Sequence, residues 1–233
     1  MKNPTQSPTE KSLEKQFRKQ NTELIPLLSP EQLLEDMPDA AHRGALPNPD
    51  EISYYVLEQD RKLYLDTEVG YDTLTIQRMI LRWNMEDRGK SVEERKPIHL
   101  YVMCYGGELD YMWSLIDTIK LSTTPIYTVN MGVAASAASL IFIAGHKRFM
   151  LPSSVLIIHE GSAQMSGDAV KIFDNVDNYN ELVKKMKQFI LKHSTISPSL
   201  MNKKRNNDWH INAEFCLKNH ACDQIVASLD EII

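Results

Sequence analysis

Residues 98–144 read IHLYVMCYGGELDYMWSLIDTIKLSTTPIYTVNMGVAASAASLIFIA, and their texture decides the fold class. The apolar run Ile98-His99-Leu100-Tyr101-Val102-Met103 predicts a strand, and Gly106-Gly107 breaks it. Leu109 to Leu121 follows as an amphipathic helix. The cycle then repeats with the strand Pro125-Ile126-Tyr127-Thr128-Val129 and a small-residue helix over Ala134 to Ala144. Strands alternating with helices imply right-handed crossovers and a largely parallel sheet covered by helices, so functional groups are expected where strands end.

Working outward, Lys62 to Leu65 predicts an earlier strand. Thr73 to Asp87 sets Leu74, Ile76, Met79, Ile80 and Trp83 at mostly three- and four-residue intervals, as in a helix with one buried face. A solvated loop is expected from Glu86 to Lys96. Downstream, Val155 to Ile158 is a short buried strand, Val170 to His193 a long helix with charged outer positions, and Gln224 to Leu229 the last strand. Residues 1–50 hold most of the eleven prolines and many polar residues. They read as an extension, partly disordered or carrying a short helix that starts at Ser29-Pro30, with the domain itself over 51–233.

The chain has 233 residues, is 42% hydrophobic and carries a formal charge of −5, from 26 basic and 31 acidic residues. That is enough for one substantial core, and it offers no positive field for nucleic acid or anionic lipid. Three cysteines without C-x-x-C spacing argue against a disulfide framework and a zinc site, and suit a reducing cytoplasm. No secretory apolar core and no run of about 18 apolar residues occurs, so neither export nor a membrane is expected. Gly89-Lys90-Ser91 is no phosphate loop, because the earlier glycine it needs falls at Asn84. No cofactor or metal is called for.

Four places could carry chemistry. Ser136, in Gly132-Val133-Ala134-Ala135-Ser136-Ala137, lies at a strand-to-helix junction near the positive end of the helix, where free N–H groups can stabilise an oxyanion. Taken alone, the same small residues serve close helix packing. His159 ends the strand Val155 to Ile158, a rigid mount for a general base, although a lone histidine there is also an ordinary polar terminus. Asp208 follows the long helix and could hold an imidazole in one tautomer, or simply cap a turn. Gly106-Gly107 allows close backbone approach and an unobstructed N–H, or a plain turn.

In order and context these four together resemble the Clp protease proteolytic subunit (ClpP) family, within the crotonase-like fold, over about residues 52 to 233. The resemblance rests on Gly106-Gly107, the Gly132 to Ser136 segment, Arg148-Phe149-Met150-Leu151-Pro152-Ser153-Ser154 running through to His159, and Asp208. It implies repeated β-β-α units with a protruding handle helix around Val170 to His193. It implies a serine endopeptidase with Ser136 as nucleophile, His159 as base and Asp208 as orienting acid. The N–H groups of Gly107 and Ala137 are then the oxyanion hole. It further implies a homo-oligomer of one or two heptameric rings, fed with unfolded protein by an AAA+ unfoldase. Four positions depart from the family pattern: Tyr105 replaces a proline, Glu160-Gly161 replaces Gln-Pro, and Asn207 stands where an arginine precedes the aspartate. Other readings stay open on the residues: a catalytically lapsed ring or scaffold subunit, a phage head-maturation protease of the same family, and a crotonase-like acyl-CoA enzyme.

Overall fold

The structure is a computed structural model, and it describes residues 54, 56–161, 164–204 and 207–233. The extension over 1–50 and its helix start at Ser29 lie outside the described residues. Among the described residues seven strands share one sheet: β1 (Lys62–Leu65), β2 (Ile98–Cys104), β3 (Ile126–Ala135), β4 (Lys147–Met150), β5 (Val155–Ile158), β6 (Trp209–Asn212) and β7 (Gln224–Ile225). The helices are α1 (Thr73–Glu86), α2 (Leu109–Leu121), α3 (Ala137–Ala144), α4 (Ala169–Lys192), α5 (Pro198–Lys204) and α6 (Ala213–Lys218).

The ten-residue strand β3 organises the sheet. One edge pairs in parallel with β2, which in turn pairs in parallel with β1. The other edge serves two strands in succession: Tyr127–Asn130 pair with β4, and Val133–Ala135 pair with β5. The sheet therefore forks, continuing from β4 to a parallel β7 and from β5 to an antiparallel β6. Buried Asn130 holds the fork. Its backbone carbonyl accepts from Leu151 N–H at 3.1 Å and its side-chain Nδ2 donates to the Val155 carbonyl at 3.0 Å, bridging the step between β4 and β5.

Sequence composition explains the layers. All eight residues of α3 are buried, as expected of a helix that is apolar on every side. It packs on α2 within the main core that α1 also joins, and Thr128 Oγ1 ties it to β3 by donating to the Phe142 carbonyl at 2.7 Å. A smaller cluster holds Tyr101, Val129, Phe149, Val226 and Ile232, with Tyr64 stacked on Tyr101. In α4 only Met186 and Ile190 are fully buried, while Val170 and Phe173 near its start are exposed, in keeping with a protruding helix. Cys104, Cys216 and Cys222 are free and buried; burial pushes the Cys216 thiol up to about 12 and the Cys222 thiol to about 11. Among the described residues no helix is long and apolar enough to cross a membrane.

Several expectations shift. Ala134 and Ala135 belong to β3 rather than to the following helix, because their partners Leu156 and Ile157 extend the ladder. The last strand stops at Ile225, since Val226 N–H makes the final rung to the Met150 carbonyl, where β4 itself ends. β6 and the short helices α5 and α6 were not foreseen. The loop after α1 is not wholly solvated, because Asp87 is fully buried. Arg61 donates to it from Nη1 at 2.6 Å and Nη2 at 3.0 Å, Lys90 from Nζ at 2.7 Å and Thr124 from Oγ1 at 3.0 Å.

These donors, the Arg61 guanidinium first, hold the Asp87 carboxyl well below the usual carboxylate range. A depressed folded-state pKa contributes stability that is present above the unfolded pKa and lost as pH falls through the folded value. Asp87→Ala should cost about 3 kcal/mol in urea unfolding at neutral pH, since it takes both Asp87 bonds from the buried Arg61 guanidinium and leaves it only the Lys96 carbonyl at 2.9 Å and the Glu86 carboxylate at 3.6 Å. The deficit relative to the parent should shrink on acidification below about pH 4. A variant as stable as the parent at neutral pH would show the pair to be dispensable.

Candidate active site

Ser136 occupies the single residue between β3 and α3, with φ 53° and ψ −126°. A positive φ at a non-glycine residue costs on the order of 1–3 kcal/mol and persists only where the surroundings impose it. Two sets of bonds do so here. Ser136 N–H donates to the Ile157 carbonyl at 2.9 Å, prolonging the ladder with β5 by one rung. Its carbonyl then accepts from Ser139 N–H at 3.0 Å and Ser139 Oγ at 2.6 Å, opening the helix.

The Gly106-Gly107 turn leans directly on this junction. A Cβ at Gly106 (φ 110°) would lie 2.7 Å from Ser136 Cβ and 3.1 Å from Ala137 N. One at Gly107 (φ 150°) would lie 2.2 Å from the Val69 carbonyl oxygen. Gly107 forms a bridge to Val69 through its neighbours: Val69 N–H donates to Gly106 O and Glu108 N–H to Val69 O, both at 2.8 Å. The Gly107 N–H takes no part in that bridge. Ala137 N–H, at the first position of α3, has no intrahelical acceptor by construction. Cys104, to which the sequence assigns no role of its own, steadies the turn: its Sγ donates to the Thr67 carbonyl at 2.9 Å and accepts from Gly106 N–H at 3.3 Å. Its place two residues before the glycine pair was the available signal.

His159 and Asp208 come together through the antiparallel register of β5 and β6. Ile158 pairs with Trp209, so the next residue outward on each strand is His159 on one side and Asp208 on the other. Because Ser136 N–H is bonded to Ile157 O, Ser136 leaves β3 beside the same strand end. The triad is not closed. His159 Nδ1 lies 3.9 Å from Asp208 Oδ1, beyond hydrogen-bond range, and it accepts instead from Gly161 N–H at 3.2 Å. The Asp208 side chain is 69% exposed, and among the described residues none donates a hydrogen bond to it. Beside His159 lies a pocket whose lining includes Leu140, Ile158, Val183, Met186, Ile190 and Trp209, apolar side chains of which half come from α4. Tyr105 is 76% exposed at the turn. Among the described residues no cluster of three or more His, Cys, Asp or Glu could hold a metal ion.

Residues 52–228 match the family model for Clp protease. The chain belongs to the Clp protease family. It is 30% identical over 127 residues to the ATP-dependent Clp protease proteolytic subunit 2 of Treponema denticola, a match covering 54% of this chain and 64% of that protein. To the same-named subunit of Treponema pallidum it is 30% identical over 131 residues, covering 55% and 66%. To the ATP-dependent Clp protease proteolytic subunit of Deinococcus radiodurans it is 27% identical over 138 residues, covering 58% and 68%. The chain thus spans about two thirds of the length of the curated relatives it matches, and the mixed α/β, mostly parallel architecture accords with the family fold.

The tightness of the glycine turn is open to a direct check. Gly107→Ala should force the turn off Val69, and amide exchange at Val69 and Glu108 should accelerate by about ten-fold or more, equal to roughly 1.4 kcal/mol of lost local protection. Unchanged protection would mean the turn can absorb a Cβ.

Proposed function

We propose that the protein is a serine endopeptidase of the Clp type, with Ser136 as nucleophile, His159 as general base and Asp208 as the carboxylate that orients it. The observation that carries this reading is the convergence of three residues, far apart in sequence, on the neighbouring ends of β3, β5 and β6. A glycine turn is pressed against the serine at the same point.

In this scheme Ser136 Oγ attacks the scissile carbonyl carbon while its proton passes to His159 Nε2. The carbonyl oxygen becomes an oxyanion beside the Gly107 and Ala137 N–H groups, where preorganised donors are worth several kcal/mol. Collapse breaks the C–N bond, and the imidazolium returns the proton to the leaving amine, leaving an acyl-Ser136. Water then repeats the sequence and releases the acid. Asp208 accepts from Nδ1–H during the charged stages. The apolar pocket beside His159 supports an apolar side chain at the cleaved bond. We further read the protein as a ring-forming homo-oligomer acting on unfolded chains or short peptides, with an AAA+ unfoldase as the feeding partner.

Ser136→Ala should lower peptide hydrolysis by on the order of a thousand-fold or more and abolish covalent labelling by a fluorophosphonate, read by intact mass. Native mass on the same sample reports the ring. Cleavage unaffected by the substitution would sink the assignment. A second reading, a ring subunit whose chemistry has lapsed, draws on the occupied His159 Nδ1 and the exposed Asp208. It predicts an assembled ring in which the parent serine stays unlabelled.

A further inference from the structure

The donor on His159 Nδ1 decides which nitrogen of the ring carries the proton. A neutral imidazole has one N–H and one acceptor nitrogen. Nδ1 accepts from Gly161 N–H, so it is the bare nitrogen and Nε2 holds the hydrogen. Both atoms are then in the wrong state for the proposed reaction, which needs Nε2 free to take the Ser136 proton and Nδ1–H aimed at Asp208. The 3.9 Å gap to Asp208 is the geometric counterpart, since a charge-assisted bond would require the two groups to approach by about 1 Å.

The donor is held, not incidental. Gly161 sits at φ 85°, a left-handed conformation that aims its N–H back at the ring two residues earlier. The preceding carbonyl, Glu160 O, accepts from Tyr179 Oη of α4 at 2.9 Å, and a Cβ on Gly161 would meet that same Oη at 2.7 Å. Tyr179 therefore fixes the Glu160–Gly161 peptide from outside, and a side chain at position 161 would have to displace its hydroxyl.

We propose that Gly161, anchored by Tyr179, is a positioning residue that holds His159 in a resting tautomer. Catalysis requires the Glu160–Gly161 peptide to turn so that Nδ1 passes from the Gly161 amide to Asp208. This rests on the peptidase reading for its meaning, but the tautomer can be measured without any activity.

The test uses the full-length protein with ¹⁵N-labelled histidine, and long-range ¹H–¹⁵N spectra at a pH where the ring is neutral. In the parent, His159 should show a protonated Nε2 and a bare Nδ1. Gly161→Pro removes the amide hydrogen altogether, and Tyr179→Phe removes the anchor without touching the turn's own sequence. Both should move the proton to Nδ1 and speed fluorophosphonate labelling of Ser136 by about ten-fold or more. A parent already protonated on Nδ1, or a tautomer unmoved in both variants, would overturn the proposal. A tautomer that shifts as expected while Ser136 stays unlabelled in every form would leave the positioning role standing and remove the peptidase reading instead.

Discussion

The junction at Ser136 is the constraint on which the rest of the site depends. Its backbone is bent into a conformation that L-residues avoid, and it stays there because its N–H completes the β3–β5 ladder while its carbonyl starts α3. Every neighbour must then be small. Ala135 and Ala137 flank it, and Gly106 lies so close that a single added carbon would overlap its Cβ. The strain is repaid by position: the side chain leaves the sheet at a strand end, and the first free N–H of a buried helix lies next to it.

The fork in the sheet does the remaining assembly. If β4 ran on alongside β3 to its end, the edge that receives β5 would be filled, and the strand carrying His159 would have no place beside Ser136. The step from Leu151 to Ser154, with Asn130 bridging it, frees that upper edge. β6 then joins β5 in the opposite direction, and their register brings residues 49 positions apart in sequence to facing places. Site geometry here is a consequence of strand bookkeeping, settled by buried backbone bonds rather than by attraction between the site's own side chains.

Much of this was legible in the residues. The strand and helix alternation over 62–158 carried clear periodicities, and Lys62–Leu65, Leu109–Leu121 and Val155–Ile158 have the predicted bounds. The family resemblance groups the four site segments from sequence alone, and family and fold are those found. Less visible were features set by tertiary pairing. Ala134 and Ala135 have helix-forming side chains but stand in a strand because β5 offers them partners. Asp87 looked like loop surface because a buried carboxylate is announced only by its distant partner, Arg61, 26 residues away. Trp209 to Asn212 is too short and mixed to stand out as a strand, and it exists because an exposed edge of β5 accepts it. The hydrogen bond from Gly161 to His159 depends on a backbone twist that no pattern of residue types encodes.

The burial of Cys104, Cys216 and Cys222 makes the folded chain a poor target for electrophiles that seek thiolates. Packing restricts access, and the raised proton affinities leave almost no anion at neutral pH. Alkylation by a maleimide therefore measures opening of the core rather than surface chemistry. Its time course is a clock for unfolding, running in parallel with serine-directed reagents and not competing with them.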